Sequence, residues 1–92
     1  MTSPISLLQL EQIGWTIDRS GLTVVPEPQL QQVAQEAIRL GVRPIAAGVL
    51  ADPSEPSVVR QRAFGRVANG LADIFRSELA LLDPNHRFAR VA

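Results

Sequence analysis

Apolar residues recur at intervals of three and four over most of this 92-residue chain, which is the spacing of amphipathic helices. The first helix is predicted over residues 3–13, with Ser3 as its N-cap and Gly14 as the residue that ends it. A second helix is predicted to begin at Pro28 and to end at Gly41. These two segments predict helices in the first half of the chain.

The second half of the chain predicts one short element and one long one. Residues 42–51 fit a short helix that begins at Pro44, although a buried strand fits this length nearly as well. The longest periodic stretch is 56–82, which predicts a long C-terminal helix that packs lengthwise. We therefore expect one compact domain over residues 1–82 and a mobile tail over 83–92.

Between the first two helices the pattern changes to alternation. The runs 15–17 and 22–25 are rich in β-favouring residues, and they flank the turn-forming sequence Asp18-Arg19-Ser20-Gly21. A loop of that length pairs Ile17 with Leu22 and Trp15 with Val24, and places these four side chains on one face. The predicted fold class is therefore mainly α, with three to four helices and a small N-terminal β-hairpin at about residues 15–25.

Composition limits the classes of protein that fit. The chain has no cysteine, which excludes disulfides, thiolate metal sites and a cysteine nucleophile. Nine basic residues balance nine acidic ones, and this neutrality argues against broad attraction to nucleic acid or anionic membranes. The N-terminus lacks the basic region of a signal peptide, and no apolar run reaches the ~18 residues of a membrane span. We expect a cytoplasmic protein.

No sequence pattern indicates catalysis, a metal or a cofactor. The only histidine, His86, has no cysteine or second histidine with which to bind zinc. The serines lie outside any nucleophile elbow, and no glycine-rich loop resembles a phosphate-binding loop. We therefore expect a protein that is not an enzyme and that uses no cofactor.

One face of the long helix combines apolar residues with two charges. Its members alternate at spacings of four and three, and they are Arg60, Phe64, Val67, Leu71, Ile74, Glu78 and Leu81. Because an unpaired buried charge is costly, Arg60 and Glu78 each need a partner or a route to solvent. An antiparallel copy of the helix would pair Arg60 with the partner subunit's Glu78 in both directions, as a two-fold interface requires. This pattern predicts a homodimer through residues 56–82, unless helices of the same chain fill the face.

Arginines elsewhere predict a second class of function. At ~100° per residue, Arg62 and Arg66 share a face of the long helix, and Arg43 precedes the short element. Phosphate contacts by these residues would make the protein a small DNA-binding transcriptional regulator. The short element offers no polar side chain for base edges, however. We favour a non-catalytic protein-protein interaction or assembly module, an adaptor that binds itself and another protein, over this alternative.

Overall fold

The computed structural model describes residues 5–82, and it describes their side chains as far as Glu78. This part of the chain is helical and contains no strand. Its elements are α1 (Leu7–Ser20), a 3₁₀ turn (Leu22–Val24), α2 (Glu27–Leu40), α3 (Pro44–Ala51) and α4 (Ser57–Leu82). The mainly helical class is confirmed, and α2, α3 and α4 begin and end close to the predicted residues. The predicted N-cap at Ser3, the tail and the side chain of Leu81 lie outside what the structure describes.

The predicted β-hairpin at about residues 15–25 is wrong, because α1 continues through the first of the two runs as far as Ser20. The buried side chains of α1 are Leu10, Ile13 and Ile17, spaced by three and four. This helical period, repeated over two turns and packed on the core, overrides the short β-favouring alternation.

Both ends of α1 differ from the prediction. Its N-cap is Ser6, whose hydroxyl accepts a hydrogen bond from the backbone N–H of Gln9 while the Gln9 side chain accepts one from the N–H of Ser6. The helix ends at Gly21, with φ +92°, and the N–H of this glycine donates to the carbonyl of Ile17 at 2.8 Å. Gly14 stays helical, so the positive φ that suits a terminating glycine occurs seven residues later.

The hydrophobic core lies along one face of α4, which contacts α1, α2, α3 and the 3₁₀ turn. The largest fully buried side chains come from α2, α3 and α4, and they are Leu30, Val33, Leu50, Val67 and Leu71. At 1.5 Å per residue α4 is about 39 Å long, and burial declines along it after Ala72.

A tight corner joins α2 to α3. Gly41 adopts φ +71°, and the next N–H, from Val42, donates back to the carbonyl of Ala37 at 2.8 Å. Arg43 follows with φ +45°, the one positive φ of a non-glycine residue in the described part of the chain. The backbone of α4 approaches this corner at Gly70, where an added Cβ would lie 2.5 Å from Cγ1 of Val42. The corner therefore holds Arg43 in a sparsely populated conformation close to α4.

Candidate functional site

Arg60 is the charged residue at the centre of the fold, with a side chain only 7% exposed. Its guanidinium pairs with both carboxylate oxygens of Glu27, with Nη1 3.1 Å from Oε1 and Nη2 2.6 Å from Oε2. Nε and Nη2 also donate to the backbone carbonyl of Leu50, at 3.0 and 2.7 Å. The buried guanidinium therefore forms a bidentate ion pair, and all of these partners belong to its own chain.

Gln31 completes this cluster. Its Nε2 atom donates to the Glu27 carboxylate and to the carbonyl of Ala51, each at 2.7 Å. Leu50 and Ala51 lie in the last turn of α3, where carbonyls lack intrahelical partners, so Arg60 and Gln31 cap this helix. The hydrogen bond from Arg60, and after it that from Gln31, lowers the pKa of Glu27. We name Arg60, Glu27, Gln31 and these two carbonyls the Arg60 cluster.

The Arg60 cluster removes the reason to expect a second copy at the predicted seam. Arg60 was expected to need the partner subunit's Glu78, but Glu27 of its own chain already neutralises it. Glu78 is exposed, and its charge helps to raise the pKa of Arg39, after the larger effect of Glu36. Arg60 thus has its counterion on α2, thirty-three residues earlier in the sequence, and exposed Glu78 needs none.

The apolar members of the seam also belong to the core of one chain. Phe64 is 4% exposed, Val67 and Leu71 are fully buried, and Ile74 is half-buried against the same core. A second copy at this face would have to displace α1, α2 and α3. These helices cover the seam from Arg60 to Leu71, which is the arrangement that the sequence left open as an alternative.

A groove between α3 and α4 brings together the three arginines that were considered for phosphate binding. It has a volume of about 520 Å³. Its lining comes from the α2–α3 corner, α3 and the first half of α4, and consists of Arg43, Pro44, Ile45, Ala46, Val49, Val59, Arg62, Ala63 and Arg66. We name it the α3–α4 groove.

The arginines of the α3–α4 groove carry charge without a counterion. Arg43, Arg62 and Arg66 are exposed, and none of them makes an ion pair or a side-chain hydrogen bond within the described residues. No acidic side chain of the described part of the chain lines the groove. Its rim is therefore positive although the whole chain is neutral.

The floor of the groove is apolar because α3 contains no polar side chain from Pro44 to Ala51. A helix that is apolar all round is ordinarily buried on all sides, but Ile45 of α3 is 86% exposed. On the opposite wall of the groove, Val59 of α4 is 36% exposed. Sequence reasoning did not identify Ile45, Val49 or Val59 as site residues. The available signal was the lack of any polar position in α3, which predicts that both of its sides are covered.

The described side chains offer no group of three His, Cys, Asp or Glu residues that could hold a metal ion. Between residues 5 and 82, no helix has the length and apolar character needed to cross a membrane.

Comparisons of the chain with protein-family models, with curated protein sequences and with solved structures find no match.

Proposed function

We propose that this protein is a non-catalytic interaction module that binds another protein surface in the α3–α4 groove. The observation that carries the proposal is the apolar face of α3, which is open to solvent and edged by three arginines that make no ion pair with any side chain the structure describes. Isolated exposed apolar residues are common on protein surfaces, whereas a contiguous apolar patch with a polar rim is typical of an interaction site.

The groove defines the chemistry of the surface that fits it. Apolar side chains of the partner would cover Ile45, Val49 and Val59, with a gain of roughly 25 cal/mol per Å² of apolar area removed from water. Carboxylates of the partner would pair with Arg62 and Arg66, whose guanidinium groups bind such groups bidentately. The partner surface is therefore amphipathic and acidic.

A nucleic acid suits this groove less well. Its floor is aliphatic, and no aromatic residue from the described range 5–78 lines it for base stacking. The short helix still offers no polar side chain that could hydrogen-bond to base edges. The arginines would contact phosphates, but a bound nucleic acid would leave Ile45 and Val49 uncovered.

Site-specific photo-crosslinking in the native host tests the proposal. A photoreactive residue at Ile45 should form a discrete crosslinked protein product, and the same residue at Gln35, exposed on α2, should not. The double charge reversal Arg62→Glu, Arg66→Glu should abolish the Ile45 product because like charges would then face each other. Equal products at Ile45 and Gln35, or a product that survives the charge reversal, would contradict it. Crosslinks to nucleic acid at Ile45 would favour the DNA-binding alternative.

A further inference from the structure

The outer side of α1 carries a second apolar stripe. Leu8 is 65% exposed and Trp15 is 67% exposed, and because Trp15 follows Leu8 by seven positions, about two helical turns, both lie on one side of the helix. This side is opposite to the buried residues Leu10, Ile13 and Ile17. Two large apolar side chains are exposed on one helix face, and covering them with another surface lowers the free energy.

One edge of this stripe is acidic. Glu11 and Asp18 are exposed, lie on the same side of Leu8 and Trp15 at 100° per residue, and make no ion pair with any described residue. The other edge carries Arg19, whose guanidinium stacks over the Trp15 ring at 5.0 Å. We name Leu8, Glu11, Trp15 and Asp18 the α1 stripe.

We propose that the α3–α4 groove binds the α1 stripe of a second copy of the chain, so that the protein is a homodimer through this pair of surfaces. This inference rests on the proposed function, because it names the occupant of the same groove. The stripe provides apolar side chains and unpaired carboxylates on one helix, and the groove provides an apolar floor and unpaired arginines.

The spacing of the charges fits such a contact. Glu11 and Asp18 are about 10 Å apart along α1, and Arg62 and Arg66 are about 6 Å apart along α4. The long, flexible arginine side chains span the difference of a few ångströms. With the acidic edge turned towards α4, Arg19 lies on the side of the stripe away from Arg62 and Arg66.

The two surfaces lie close enough on one chain to share one interface. Asp18 of α1 and Arg62 of α4 line the same shallow depression between these helices, and Arg62 also lines the α3–α4 groove. A two-fold axis would then place each stripe in the partner's groove and form every contact twice. This doubling helps a small groove to reach the ~1,200 Å² of total buried surface that stable complexes need.

Charge exchange between the two surfaces tests the proposal on the purified full chain. One variant carries Arg62→Glu and Arg66→Glu in the groove, and the other carries Glu11→Arg and Asp18→Arg in the stripe. Sedimentation and light scattering should give a dimer for the wild type and monomers for each variant alone, with Kd raised about tenfold or more. An equimolar mixture of the variants should restore the dimer, because every contact then joins opposite charges.

Recovery in the mixture also excludes misfolding as the cause of dissociation. Arg76→Glu, exposed on α4 outside the groove, serves as the control and should remain dimeric. A monomeric wild type at micromolar concentration overturns the inference, as does a dimer that persists in both variants or a mixture that stays monomeric. If the wild type is monomeric while Ile45 still crosslinks to a different protein in the host, the proposed function stands and only the identity of the occupant is wrong.

Discussion

The inner and outer faces of α4 carry the same residue types in opposite situations. On the inner face, Arg60 is 6% exposed and its guanidinium is shared between a carboxylate and a carbonyl. On the outer face, Arg62 and Arg66 are exposed and have no partner among the described residues. Arg62 and Arg66 thus follow Arg60 by only two and six residues on the same helix. Arg60 is used by the fold, whereas the other two are available for binding.

This difference indicates how arginines without a local acid should be interpreted. All three lie in the stretch from Ser57 to Gly70, which contains no acidic residue. The inner arginine is neutralised by Glu27, thirty-three positions earlier. The outer arginines have no such counterion among the residues that the structure describes, and their charge is therefore available to another surface. Burial, rather than local sequence, decides which arginine is structural.

The largest expected effect comes from removing the inner arginine. Arg60→Met keeps the apolar stem but leaves the Leu50 carbonyl without its two donors and the Glu27 carboxylate without its cation. We expect the free energy of unfolding to fall by about 3 kcal/mol. Urea denaturation followed by circular dichroism measures the loss. Arg66→Met is the matched control, expected to change stability by no more than about 0.5 kcal/mol. Equal effects of the two substitutions would contradict the division between faces.

Two glycines of α4 provide a second test of the difference between its inner and outer faces. An added Cβ at Gly70 lies 2.5 Å from Cγ1 of buried Val42, whereas nothing lies within 4 Å of a Cβ added at Gly65. Gly70→Ala should lower the free energy of unfolding by roughly 1 to 2 kcal/mol, because the clash exceeds the gain in helix propensity. Gly65→Ala should raise it by up to about 1 kcal/mol, because there only the propensity changes. Thermal unfolding shows whether each variant is more or less stable than the wild type. Higher stability in both variants would contradict the close approach of α4 to the α2–α3 corner.

The helices that sequence predicts well are those with proline and glycine at their ends. Pro28 with Gly41, and Pro44, lie within a residue of the ends of α2 and α3. For α1 the same kind of reasoning was wrong, because Gly14 resembles a terminator and the run beginning at Trp15 favours strands. The positive φ of Gly21 and the packing of α1 on α4 decide that boundary, and neither can be read from local sequence.

The sequence shows that two residues of the candidate site lie side by side only where both belong to one helix. The pairing of Arg62 with Arg66 on one face follows from helix geometry. Arg43 was a candidate from the sequence, but its place in one groove with these two arginines and with Ile45 depends on the packing of α3 along α4, which is a tertiary contact. The partner of Arg60 was missed for the same reason, and a second chain was inferred in its place. A charge on a predicted apolar face therefore calls for a counterion, but the sequence does not specify which element supplies it.

The smallest expected effect concerns the ionic part of the inner face, and it depends on pH. The hydrogen bond from Arg60, and then that from Gln31, lowers the pKa of Glu27 below its ordinary value of 4.5. The stabilisation by this carboxylate is therefore complete above about pH 4.5 and is lost as the pH falls through the lowered pKa, because the unfolded state takes up the proton at a higher pH than the folded state does. Glu27→Gln removes the charge at every pH and should lower stability at neutral pH by on the order of 1 kcal/mol, a modest value because Glu27 is 41% exposed.

The free energies of unfolding of Glu27→Gln and the wild type should converge as the pH falls from about 4.5 through the lowered pKa of Glu27. Urea denaturation at a series of pH values measures it. The pKa of Asp52 is also lowered, by hydrogen bonds from Ser54, but this residue is present in both proteins and its acid dependence cancels in the difference. If the difference in the free energy of unfolding stays constant into the acid range, Glu27 stabilises the cluster by packing and neutral hydrogen bonds and not by its charge. The buried guanidinium of Arg60 would then be held mainly by the carbonyl of Leu50.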